Sequence, residues 1–262
     1  SELPVTRGLE WYFRMNRADA LQKVCCDVYD QFDPLRAEWE DRHRSKVLYW
    51  TNWNYAPLIL RDPITSLEDI KGKRIRAYGV SADVVEALGG TAVAMAAPEV
   101  YQALERGILD GVYGFDFVTA IAYKLHEIAP QFYYIGDGPH APAATIMNKR
   151  VYDGLPDDVR KISDEIVDDI YGGQFSAIYE DVLATYVKTA EAEGVTLSTV
   201  SDEQKAMAKN LVQPAQVNSW LEDTAKPAGI DGEEMQSLID AAIKKYDAEA
   251  TLKRPYEISQ AS

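Results

Sequence analysis

Two cysteines and three histidines in 262 residues leave little material for metal or redox chemistry. Cys25 and Cys26 are adjacent, a spacing that fits neither a CxxC redox pair nor a pair of metal ligands. Two free thiols are expected, one packed in a helix and the other nearer the surface. His43, His126 and His140 are scattered along the chain, with no HExxH, no GxSxG and no cysteine–histidine arrangement. No GxGxxG follows a strand-like run, and neighbouring acids such as Asp157-Asp158 and Asp168-Asp169 read as a solvated helix face. No enzyme activity, cofactor or metal is therefore expected. Long apolar runs are also missing. No stretch approaches the roughly 20 residues that cross a bilayer, so direct membrane insertion is not expected. The opening Ser1-Glu2-Leu3-Pro4 carries no basic region followed by an apolar one, so no signal peptide is visible.

Positive charge is the other scarcity. Lys and Arg total 27 against 42 Asp and Glu, a net charge of -15. That field disfavours nucleic acid and anionic membrane surfaces as partners. It also repels an anionic ligand, so capturing one needs a local, pre-organised cation. What is present is ordinary for a globular chain: 47% apolar and 26% charged residues, enough for one large domain or two modest ones.

Apolar residues at Met15, Ala18, Leu21, Val24 and Val28 predict a helix over 15–32. A charged stretch from Glu38 to Arg44 comes next, then strand-like runs at 46–52 and 57–61. Asp62-Pro63 makes a turn, and Ser66 with Asp69 three residues on resembles a capping box. Strands over 72–79, 91–95 and 108–113 alternate with helices over 81–88 and 98–106. This rhythm predicts a parallel sheet with helices on its faces. Strands are expected again at 132–136 and 143–148. A helical stretch then runs from Pro156 to Gly194, with Ile162, Ile166, Ile170, Ala177, Tyr179, Val182 and Tyr186 as its apolar stripe. Unbroken, it would be roughly 55 Å long, and Gly172-Gly173 predicts a kink or close approach within it. A strand at 195–198 and helices over 202–221 and 232–250 complete the chain.

The segment Pro63-Ile-Thr-Ser-Leu-Glu-Asp-Ile-Lys-Gly-Lys-Arg-Ile-Arg76, then Leu88-Gly89, then Glu99-Val-Tyr-Gln-Ala-Leu-Glu-Arg-Gly-Ile-Leu-Asp-Gly111 has a specific order and spacing. Asn148-Lys-Arg-Val-Tyr-Asp-Gly-Leu-Pro156 adds a second match before the long helix. Together they resemble the DctP-type solute-binding proteins of tripartite ATP-independent periplasmic (TRAP) transporters. The resemblance implies an α/β, two-domain periplasmic-binding-protein-like fold of the type II kind, with a long domain-spanning helix. Residues 1–75 and 143–262 would be parts of the first domain plus spanning and C-terminal helices, and 76–142 the second. It implies a periplasmic protein, monomer or dimer, that binds a small organic acid and delivers it to the transporter's membrane subunits. The alternative is a ligand sensor of the same fold that binds a C4-dicarboxylate-like acid without transport. Family members begin with a strand–helix–strand unit, and residues 1–32 resemble the family segment on the C-terminal side of that unit. An N-terminally incomplete first domain is therefore expected.

In that family the arginine ending the strand, here Arg76, pairs with the ligand carboxylate. A planar guanidinium suits this task because it grips both oxygens at once. Arg74 has the same strand parity and is expected in a solvated or inter-domain pair. The place where many members carry a second polar or basic residue maps onto Asn54-Tyr-Ala56, which lacks an arginine, and Trp53 and Asn54 could supply an aromatic wall and amide bonds. An aromatic position of the family falls on Ala97, which would enlarge the pocket. Its amide position falls on Gly114, flanked by Tyr113 and Phe115. Tyr78 and His140 are further candidates. These differences point to one carboxylate on a bulkier or aromatic body.

Overall fold

The computed structural model describes residues 2–52, 55–139 and 142–261. Its strands are β1 (Ser45–Asn52), β2 (Leu58–Leu60), β3 (Arg74–Arg76), β4 (Thr91–Val93), β5 (Gly111–Val112), β6 (Gln131–Tyr134), β7 (Pro142–Asn148) and β8 (Thr196–Thr199). The helices to β5 are α1 (Ala18–Gln31), α2 (Asp33–Ala37), α3 (Val80–Ala87) and α4 (Ala97–Glu105). After it come α5 (Phe117–Ala122), α6 (Lys149–Asp153), α7 (Asp157–Asp169), α8 (Phe175–Ala192), α9 (Asp202–Trp220), α10 (Gly232–Tyr246) and α11 (Pro255–Ser259).

Six strands make one sheet in the order β4-β3-β5-β2-β6-β8, and β1 pairs separately with β7. Within the sheet β3 runs parallel to β4 and β5, β6 runs parallel to β8, and β2 is antiparallel to both β5 and β6. Five strands therefore point the same way. Their C-terminal ends, with the N-terminal end of β2, form a single edge. Both faces of the sheet are covered, as expected for βαβ units. Ile59, Val112 and Phe132 pack with residues of α4, α5 and α8, whereas Leu58, Leu60, Ile75, Tyr113 and Ile135 pack with α3 and α9. Since Ile75 faces the second group, Arg74 and Arg76 face the first.

A third core joins α1 and α10 to β1, around Trp39, Trp50 and Trp220. Residues Glu38–Arg42 of the charged stretch continue helically from α2. Glu38 is buried there, accepting from the Val5 amide at 2.7 Å, the Thr6 amide at 2.8 Å and the Thr6 hydroxyl at 2.6 Å. Ser66 and Asp69 do form a capping box.

The long helix is broken where the glycines stand. Between α7 and α8 the chain makes a wider turn, with Gly173 at φ 133°. Beside that turn the Tyr171 hydroxyl accepts from the Trp50 amide at 2.6 Å and donates to the Trp50 carbonyl at 3.2 Å. It fastens the kink to β1. The stripe before the kink is not uniformly covered: Ile162 and Ile166 on α7 are each 54% exposed. The six-stranded sheet joins β2 and β8 to strands of the segment 76–142.

Candidate ligand-binding site

Arg76 is the last residue of β3, on the shared C-terminal edge. Its position is set by the glycine turn before it (Gly72, φ 76°) and by the chain's departure through Gly79 (φ 58°) into α3. The Nε donates to the Met95 carbonyl at 3.1 Å, and the guanidinium carbon stands 4.6 Å from the centre of the Phe115 ring. No acid pairs with it among the described residues. Burial lowers its pKa, with no opposing charge to restore it. The contrast with Arg74 is direct. Arg74 binds Asp110 through Nε at 3.0 Å and Nη2 at 2.9 Å, and its Nη2 also donates to the Gly107 carbonyl at 2.8 Å. Two arginines on one strand face are thus treated differently: the solvated one is neutralised and the half-buried one is not.

Other expected residues gather at the ends of β3, β4 and β5. Ala97 opens α4, two residues after the Met95 carbonyl that holds Arg76. Gly114 adopts φ 85°, and a Cβ there would lie 2.6 Å from Ser81 Oγ. Ser81 Oγ in turn donates to the Tyr78 carbonyl at 2.6 Å, so the turns after β3 and β5 are packed together with no space for a side chain. Phe115 is buried, edge-on to Tyr123 at 5.8 Å, and presents its face to Arg76. Tyr78 is 71% exposed beside them.

Tyr113 is a correction. Alternation along β5 turns it to the opposite sheet face from Arg76, where it is fully buried, stacked on Tyr12 at 5.6 Å and donating to Asp137 Oδ2. It supports the edge from inside the core and does not reach the Arg76 side. Trp53, Asn54 and His140 lie outside the described residues. Sequence reasoning missed Asp137, a buried carboxyl pushed up to about 7 by loss of solvent. No local motif marks it, because its partners come from distant segments. It also missed the Met95 carbonyl, since any residue type could supply it.

A half-buried guanidinium whose terminal nitrogens make no hydrogen bond among the described residues is suited to gripping a carboxylate through two parallel bonds. Phe115 covers one face of the cation. Among the described residues no group of three or more His, Cys, Asp or Glu is placed to hold a metal ion.

Residues 13–223 match the family described as bacterial extracellular solute-binding protein, family 7, DctP. The chain belongs to this family. It is 30% identical over 128 residues to the C4-dicarboxylate-binding periplasmic protein DctP of Rhodobacter capsulatus, covering 48% of this chain and 38% of that one. It is 27% identical over 194 residues to the ectoine-binding periplasmic protein TeaA of Halomonas elongata, covering 72% and 54%. Among solved structures it resembles a TRAP solute-binding protein of Rhodoferax ferrireducens in complex with copurified benzoate. That likeness has a TM-score of 0.82 and 23% identity, over 96% of this chain and 77% of that one. The fold is thus the two-domain periplasmic-binding-protein fold of the TRAP proteins. The chain spans about half the length of the curated DctP relatives it matches.

Proposed function

We propose that this protein captures a small organic acid outside the cytoplasm and delivers it to TRAP membrane subunits, without catalysis. The observation that carries the reading is Arg76, a half-buried cation that no acid of the described chain neutralises. In a protein of net charge -15 such a group is the local attraction an anionic ligand needs. Ligand carboxylate would take the free edge of the guanidinium, and hinge closure would exclude water from the pair.

The neighbours of Arg76 favour one carboxylate on an aromatic or bulky apolar body. Ala97 leaves volume, Phe115 and Tyr78 supply aromatic surface, and the stretch Asn54-Tyr-Ala56 carries no second cation. The benzoate complex of the structural relative fits the same preference. The protein is expected to act in the periplasm as a monomer or dimer.

A thermal-shift screen of mono-, di-, keto- and aromatic acids tests this. A ligand at a hundred times its dissociation constant stabilises the fold by about 2.7 kcal/mol. Aromatic monocarboxylates should raise the melting temperature most. Hits confined to dicarboxylates would overturn the aromatic preference, and no hit in any class would overturn the binding role.

A further inference from the structure

A cavity of about 350 Å³ opens at the other half of the same sheet edge, away from Arg76. Its walls are the ends of β6 and β8, the loop before α1, the segment Tyr55-Ala56 entering β2, the first turns of α9 and the segment entering α11. From β3 the cavity's nearest strand, β2, is two strand spacings away and its farthest, β8, four, roughly 10 and 19 Å. Neither Arg76 nor any of Tyr78, Ala97, Gly114 and Phe115 lines it.

The lining runs against the charge of the whole molecule. Arg14, Lys205, Lys209 and Arg254 meet there, opposed within the lining only by Asp137 and Asp202. Three of these cations are committed. Arg14 pairs with Asp240, Lys205 with Asp202 at 3.0 Å, and Arg254 with Glu257 at 3.0 Å. Lys209 has no ion-pair partner among the described residues. The deeper wall carries a second unmet group. Tyr134 is 4% exposed, and its hydroxyl is fully buried with no hydrogen-bond partner among the described residues. A buried hydroxyl without a partner is costly, and it marks a place where a polar atom is missing.

Size selects among anions. A single water occupies about 30 Å³ of liquid, so an inorganic ion would leave most of this space unfilled. Cations reaching in from three separate segments suit several acidic groups on one small framework better than one. We propose that this cavity is a second ligand site, distinct from Arg76, that takes a small polycarboxylate between Lys209, Arg254 and the Tyr134 hydroxyl.

Isothermal titration with citrate, at constant ionic strength, tests the assignment on the wild-type chain and on Lys209→Glu, Tyr134→Phe and Arg76→Ala. Citrate should bind wild type and Arg76→Ala with equal affinity, and Lys209→Glu at least about tenfold more weakly. Tyr134→Phe should also bind more weakly, and circular dichroism should show all variants folded, since Lys209 is on the surface and the Phe ring keeps the packing. Absence of citrate binding to wild type would overturn the proposal. So would affinity unchanged in Lys209→Glu, or binding lost in Arg76→Ala and kept in Lys209→Glu, which would place citrate at the proposed carboxylate site instead.

Discussion

Replacing Arg76 by alanine separates ligand binding from folding, because the structure gives the two effects different sizes. On the folding side, the variant loses one hydrogen bond, from Nε to the Met95 carbonyl, and the stacking of the guanidinium on Phe115. Each contributes about 1 kcal/mol. Against this, the folded chain no longer has to bury a cation without an acid partner. The opposing effects leave a stability change within about 1 kcal/mol. On the binding side, a ligand carboxylate in a closed site would lose its charge partner, at about 2–5 kcal/mol. At 1.4 kcal/mol per tenfold, affinity should fall by roughly 30- to several thousand-fold. Arg76→Lys should fall between, since an ammonium keeps the charge but not the two-pronged geometry. Titration calorimetry with an acid found in the thermal screen reads the affinity, and urea unfolding reads the stability. Wild-type affinity in Arg76→Ala would refute the assignment. A large stability loss, above about 3 kcal/mol, would refute the view that the arginine is uncommitted within the fold.

Asp137 makes stability depend on pH. Its carboxyl is raised from 3.8 to about 7 by burial, so the folded chain holds this proton more tightly than the unfolded chain. The resulting stabilisation is fully present below about pH 4 and is lost as pH rises to about 7, by up to 1.4 kcal/mol per pH unit. In Asp137→Asn this slope should vanish, and urea midpoints should move in the variant's favour across that window; parallel profiles would contradict it. Gly114→Ala should destabilise by about 1–3 kcal/mol, because φ 85° and the contact 2.6 Å from Ser81 Oγ both oppose a side chain. Calorimetric melting temperatures check this, and an unchanged value would mean that the two turns are not packed as described.

Legibility depended on the range over which each signal acts. The strand–helix alternation from Leu58 to Val112 is written in local pattern, so the elements could be read directly, whereas the position of Arg76 at a strand end came from the family resemblance. The kink at Gly173 was marked by composition. Tyr113 was misread because a residue after a short strand gives no clue to which sheet face it joins, and Tyr12 and Asp137, from distant segments, decide that. The same applies to β2 and β8, which enter the sheet of β3 only through pairings that no local window contains. Ile162 and Ile166 carry a core-like period, yet periodicity states only that a face is apolar and not what covers it. The cavity near Tyr134 was invisible for a related reason: its cations are ordinary surface residues until the fold brings them together.

The most direct test is a crystal of the chain grown with 4-bromobenzoate, using anomalous scattering from bromine to find the bound acid. The expected peak lies beside Arg76, with the carboxylate on the terminal guanidinium nitrogens and the ring towards Ala97 and Tyr78. A fully occupied bromine site elsewhere, with Arg76 uncontacted, would contradict the assignment of Arg76 as the residue that holds the acid.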